Sequence, residues 1–404
     1  MDKVEIIVRA SALHDPEELA RLKARLLSQV ETAGGFTVEE VSAPSGKQLV
    51  AVLVLTGGVE REVLKLIPQL PTPILLIAHP EHNSLPASLE ILARIRQDGG
   101  EGEILFGTPA DIAAGLSREL RVISAWNNLR FSRVGLIGPP ADWLVASEVE
   151  PAFLKGQLSI EPIKIKIEEL IEHIESSPEP RRGLRQFIRE ATEVDGPSKN
   201  ELRIAGTIYT GLRSLIEERR LTCCTVSCFN LIPRLQNTAC YAISRLNDEG
   251  IPTGCEGDLQ ALFSLYLGML ISGKPGFMGN ISSVDPTMRR VTLAHCSCPL
   301  SLATEYTIRS HFESGVGVGI GATIPEGEAT LLRLGGRRLN QLSVRQGEIE
   351  KTRLREGLCR TQVTLSLSEP LARLLTAPLG NHHILIPGVH QRMIERFFDR
   401  FLSP

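Results

Sequence analysis

From the N-terminus to about residue 285, short continuous apolar runs alternate with amphipathic stretches of helical period. That alternation constrains the fold more than any single motif, because it is the pattern of a parallel sheet covered by helices. Val4–Val8, Val50–Leu55 and Ile74–Ala78 read as strands; the last two lack polar interruptions, as strands buried on both faces do. Pro16–Glu31 reads as a helix, with Asp15 as N-cap and Pro16 at the first helical position. A second unit begins near Arg133, where Val134–Ile137 forms a strand ending at Gly138-Pro139-Pro140. Ser176–Lys199 is rich in charge, Ser and Pro and reads as a surface excursion. Ser198 and Glu201 then form a capping-box pattern opening the helix Lys199–Arg219. Thr222–Cys228 is the next strand, Thr238–Glu249 a helix stopped by Gly250, and a short strand ends near Cys255. Leu259–Ser272 reads as a buried helix and Gly276–Asn280 as another short strand.

From Arg289 onward the pattern changes. Arg289–His295 alternates, with Val291, Leu293 and His295 on one face. Ser314–Ile324 is interleaved with glycine, Ala329–Leu334 and Thr361–Ser368 read as strands, and Gln391–Phe401 is a closing helix. The fold class expected is α/β: two Rossmann-like parallel-sheet domains over 1–130 and 131–284, then a β-rich, barrel-like domain over 285–404.

The chain has 404 residues, too many for one ordinary domain. A net charge of -3 and an aromatic content of 4% argue against a nucleic-acid partner, which needs a basic surface or base-stacking rings. The apolar window Leu259–Ser272 falls short of the ~20 residues that cross a bilayer. Met1–Ala10 is broken by Asp2, Lys3 and Glu5 and holds no signal-peptide core, so a cytoplasmic protein with no membrane association is expected. Seven of the eight cysteines lie between Cys223 and Cys298 and are expected as reduced thiols.

The residues that could carry chemistry concentrate between Gly250 and Glu313. Glu256 follows a strand, where open α/β sheets bind their ligands, although an exposed loop carboxylate is the alternative. Asp258 reads as the N-cap of the helix that follows. Asn280 ends a short strand and is either a turn residue or an oxygen ligand. His295 reads by itself as a core histidine or as a ligand. His295-Cys296-Ser297-Cys298 invites a zinc reading that no second Cys-x-x-Cys pair supports. Arg309, His311 and Glu313 alternate and are expected on one face of a strand. His382 and His383 are adjacent, so at most one of them enters a given site.

In order along the chain stand Leu246-Asn247-Asp248-Glu249-Gly250-Ile251-Pro252, Cys255-Glu256-Gly257-Asp258, Phe277-Met278-Gly279-Asn280, Leu293-Ala294-His295-Cys296 and Ser310-His311-Phe312-Glu313-Ser314-Gly315. Together these segments resemble the L-fucose isomerase and L-arabinose isomerase superfamily, especially its shorter fucose isomerase-like members. The resemblance is strongest over about 222–327 and covers residues 1–130 only in general character. It implies a homo-oligomer, a trimer or hexamer, in which a neighbouring subunit's N-terminal domain lends residues; His82, Asn83 and Ser84 match that role. It implies a divalent metal, Mn²⁺ or alternatively Mg²⁺, held by Glu256, Asn280, His295 and one of His382 and His383, with His383 favoured. His311, Glu313 and Arg309 would bind substrate hydroxyls.

One departure stands out. Asn280 takes the place of a second carboxylate, and an amide cannot act as a base. Either Asp285 replaces it from a shifted loop, or the metal is held more weakly, or the chemistry differs. The function expected is aldose–ketose isomerisation of a monosaccharide through an enediol, with Glu256 as base and Asn280 beside it. Two alternatives stay open: a non-catalytic sugar-binding paralogue, and a different metal or cysteine enzyme on the same scaffold.

Overall fold

The computed structural model describes residues 2–403 apart from 47, 179–182 and 353. It divides into two compact units, Met1–Ser124 and Ala125–Pro404. The first holds strands β1 (Lys3–Arg9), β2 (Thr37–Glu40), β3 (Leu49–Val54), β4 (Ile74–Ile77) and β5 (Gly102–Leu105). All pair in parallel, in the order β2-β1-β3-β4-β5. The helix Pro16–Gly34 begins as the sequence implies: Asp15 accepts from the Glu17 N–H at 2.8 Å and Pro16 occupies the first turn. Its Leu19, Leu22, Leu26 and Val30 cover one sheet face, while Ala87, Ile91 and Ile95 of the helix Ser84–Gln97 cover the other. Burial on both sides is why β3 and β4 are apolar throughout.

The second unit opens with β6 (Val134–Ile137), β7 (Ile163–Ile165), β8 (Glu193–Asp195), β9 (Cys223–Val226) and β10 (Thr253–Cys255). Four of them form a parallel sheet in the order β10-β9-β6-β7. Then come β11 (Phe277–Asp285), β12 (Arg290–His295), β13 (Glu305–Arg309), β14 (Gly319–Thr323), β15 (Gly327–Gly335), β16 (Gln341–Glu350), β17 (Thr361–Leu367) and β18 (His382–Pro387). Six of these close an antiparallel barrel, β11-β12-β17-β16-β15-β18. The barrel-like expectation therefore resolves into full closure, which leaves the six strands without a free edge. The helix Leu259–Ser272 is buried along most of its length, so its sequence is apolar all round.

Three expectations are corrected. The excursion Ser176–Lys199 carries a helix, Gly183–Glu190, whose Leu184 and Phe187 enter the barrel-side core, and β8, which pairs with β13; its residues 179–182 lie outside the described set. Charge and proline masked two apolar anchors there. The strand expected over Ser314–Ile324 forms only at Gly319–Thr323, because Gly315 and Gly317 have positive φ and turn the chain first. The short strand Gly276–Asn280 extends through a bulge at Ile281/Ser283 to Asp285 and belongs to the barrel.

Candidate active site

Every group of this site lies in the second unit. Glu256 follows β10 in a turn of two consecutive left-handed residues, Glu256 at φ 61° and Gly257 at φ 74°. A side chain at Gly257 would put its Cβ 2.5 Å from the Pro140 Cα, so only glycine fits. A non-glycine residue in this region costs on the order of 1–3 kcal/mol and persists where the surroundings over-determine it. Here the turn is pinned by Ala141, whose N–H donates to the Glu256 carbonyl at 2.9 Å. The result turns Glu256 inward at 7% exposure, which disposes of the exposed-loop alternative.

Two histidines converge on Glu256. His295, the last residue of β12, places Nε2 3.9 Å from Oε1. His382, the first residue of β18, places Nε2 3.7 Å from the same oxygen. One ligand atom from each of the three lies within 4.8 Å of the others. The separations are too long for hydrogen bonds and suit a shared ion bonded at roughly 2.0–2.3 Å to each. The His382 Nε2 is buried and has no hydrogen-bond partner. Its Nδ1 is 2.9 Å from Asp258 Oδ2, an arrangement that keeps a proton on Nδ1 and turns Nε2 toward Glu256. The donor set fits a divalent metal: one carboxylate and two imidazoles, one of which has its Nε2 without a hydrogen-bond partner.

Asp258 is the N-cap expected, accepting from the Ala261 N–H at 2.8 Å, and it is also more. Its Oδ2 takes the Arg333 guanidinium at 3.0 Å and the Ser147 hydroxyl at 3.1 Å as well as His382. Arg333, inside the apolar run of β15, is fully buried and also donates to Gln260 Oε1 at 3.0 Å. Sequence reasoning missed Arg333; an arginine within Ala329–Leu334 was the available signal.

Electrostatics follow from this packing. Burial pushes the Glu256 carboxyl up, but His382, His295 and the Trp143 indole outweigh it and hold it down at about 2. Burial pulls His382 down, and the Asp258 and Glu256 carboxylates more than offset it, raising it to about 9. Burial lowers His295 to about 4. Asp258 stays well below the ordinary carboxylate range: burial opposes this, and His382 and Arg333 prevail.

The other expected residues fall in different places. His383 points away from Glu256, as alternation along β18 requires; it lines a separate cavity with Arg345 and Arg373, and burial lowers it to about 3. Asn280 sits opposite His382 in the β11–β18 register, and its Oδ1 accepts from Asn381 Nδ2 at 2.8 Å. Asp285 caps the turn at Thr287 and Met288 at the far end of β11 and supplies no replacement carboxylate. Arg309, His311 and Glu313 do not share a strand face, because β13 ends at Arg309 and a turn follows. Arg309 pairs with Asp195 on the surface, whereas His311 is buried and its ring lies edge-on to Phe229 at 5.5 Å. Glu313 is raised by partial burial and by the charge of Glu256. His82, Asn83 and Ser84 belong to the first unit. The first two adopt positive φ, and the buried Ser84 hydroxyl donates to the Val54 carbonyl at the start of a helix.

Trp143, absent from the sequence-derived set, donates its Nε1–H to Glu256 Oε2 at 2.7 Å. Of the eight free cysteines, seven are buried; Cys228 and Cys255 bring their sulfurs to 3.0 Å beneath the Glu256 turn. Among the described residues the cysteines take no part in a convergent ligand group, which sets the thiolate metal reading aside.

No family model matches the chain. It is similar to the sulfoquinovose isomerase of Priestia aryabhattai, 23% identical over 308 residues, covering 72% of this chain and 68% of the relative. The sulfoquinovose isomerase of Alkalicoccus urumqiensis is 22% identical over 263 residues, 63% of this chain and 59% of the relative. That of Clostridium sp. (strain MSTE9) is 31% identical over 110 residues, 24% and 23% of the two chains. With a convergent carboxylate–histidine site and likeness extending over most of its length, the chain is an enzyme, an isomerase homologous to these proteins.

Proposed function

We propose that this chain is a metal-dependent aldose–ketose isomerase acting on a monosaccharide. The observation that carries the reading is the orphaned Nε2 of His382 facing Glu256 and His295, with Asp258 fixing the imidazole from behind. A divalent ion bound there, Mn²⁺ or Mg²⁺ as the family resemblance implies, would polarise a sugar carbonyl and its neighbouring hydroxyl.

The chain's own groups do the rest. Glu256 has one oxygen toward the histidines and the other toward Trp143, and is the group placed to take the proton moving between C1 and C2. It is ionised at neutral pH, the form a base must have. Glu313, whose carboxyl is raised by partial burial and by the charge of Glu256, would bind a substrate hydroxyl. His311 presents a neutral ring, lowered to about 4 by burial, for a substrate hydroxyl. Asn280 serves as a neutral oxygen group on the strand beside His382 rather than as a base. The resemblance adds a homo-oligomer in which His82–Ser84 of a second copy approaches this site.

The test is an interconversion screen of aldoses and ketoses with and without Mn²⁺, with sulfoquinovose included because the relatives carry its name. Turnover that needs metal and is lost in Glu256→Gln supports the reading. Saturable sugar binding without interconversion would instead establish the binding paralogue, which the amide at Asn280 favours.

A further inference from the structure

The mouth of the site holds an aromatic side chain, Trp143. A cavity of about 230 Å³ is lined by Pro139, Trp143, Cys228, Phe229, Asn230 and Glu256 among others. Trp143 is 54% exposed, unusual for so large an apolar ring. Its ring stands edge-on to Phe229 at 5.1 Å, and Phe229 in turn meets His311. The loop beneath it is fixed, since the Leu144 N–H donates to the Ala141 carbonyl at 2.9 Å and the Ala141 N–H to the Glu256 carbonyl.

Two contacts define what this ring does. The indole N–H holds Glu256 Oε2 at 2.7 Å, while Oε1 faces both histidines. With its two oxygens engaged on opposite sides, the carboxylate cannot rotate about its last torsion without losing one set. Indole is a donor only, and its hydrogen bond is stronger to the charged carboxylate. The ring lines the cavity and stays exposed, so the C–H face of a sugar can stack on it.

Resting on the isomerase reading, we infer that Trp143 is the positioning residue of this site. It fixes the rotamer of Glu256 through its N–H and forms the platform for the apolar face of a monosaccharide. The two roles separate by substitution. Trp143→Phe keeps a ring and removes the N–H; Trp143→Ala removes both.

The experiment uses the full chain. Trp126 is the other of two tryptophans, so Trp126→Phe leaves Trp143 as the single fluorophore. Its emission is expected to change on titration with Mn²⁺, at the concentration where equilibrium dialysis shows the ion bound. In the wild-type background Trp143→Phe is expected to lower kcat roughly ten- to hundredfold at nearly constant KM, the size of one lost charge-assisted hydrogen bond. Trp143→Ala is expected to raise KM severalfold as well. Emission unmoved by bound Mn²⁺, or wild-type kinetics in Trp143→Phe, overturns the inference. A wild-type chain that interconverts no sugar would sink the isomerase reading alone; the Mn²⁺ response of Trp143 would then still decide whether it is coupled to Glu256.

Discussion

At the scale of single residues, the site sets apart side chains that the sequence could not rank. Glu256→Gln keeps size and shape but removes the charge that accepts the proton, so turnover is expected to fall about 10²–10⁴-fold with the circular dichroism spectrum unchanged. The adjacent histidines divide cleanly. His382→Ala is expected to abolish stoichiometric metal binding, measured by elemental analysis after dialysis, while His383→Ala leaves it in place, because only His382 faces Glu256. Asp258→Asn is expected to weaken metal binding about 10–100-fold, since it loosens the group that fixes His382. Alternation along a strand said that one of the two histidines would enter; which one depends on the register of β18 against β11, and a single chain does not print register. Trp143 lies in a loop, so no periodicity marks it, and its partner is 113 residues away.

At the scale of elements, the sequence was most legible where one local rule decided the outcome. The helix Gln391–Phe401 and the capping box at Ser198 and Glu201 stand as read, because a cap needs only residues three apart. Where a tertiary partner decides, reading stopped. Nothing in Gln341–Glu350 announces the longest barrel strand, since its alternation is interrupted by Arg345 and Gly347. The Glu201 cap also reaches further than its helix. The carboxylate takes the Ser198 N–H at 2.8 Å and the Gly317 N–H at 2.8 Å, stitching the helix start to the turn before β14. Partial burial pushes this carboxyl up, and the hydrogen bonds from Ser198 and Gly317 win, leaving it lowered. A carboxyl lowered by folding adds stability above its unfolded pKa, about 4.3, and that contribution disappears as pH falls through the folded value. Glu201→Gln is therefore expected to lower the midpoint of urea unfolding at pH 7 by an amount worth about 1 kcal/mol, with the difference from wild type shrinking below pH 4.3.

At the scale of the whole molecule, the first unit carries a complete sheet with an apolar cluster on each face. A fragment of residues 1–129, which keeps the helix Pro109–Leu129 whole, is expected to unfold cooperatively on heating when followed by circular dichroism. Loss of that transition would mean that the sheet depends on the rest of the chain. Within the second unit the parallel sheet and the barrel have different periodicities, and that change of period was visible at Arg289. The closure of the barrel was not, because it rests on the pairing of β11 with β18, whose ends are about a hundred residues apart.

Asp258 gives this architecture a particular genetics. The same carboxylate starts a helix, neutralises a buried arginine from one barrel strand and steers a histidine from another. Any replacement there is pleiotropic: leaving Arg333 without its counter-charge is expected to cost about 3–5 kcal/mol, whatever becomes of the metal. A loss-of-function variant at this position is consequently uninterpretable from activity alone. Only a paired exchange that also replaces Arg333 would let catalysis and folding be inherited separately.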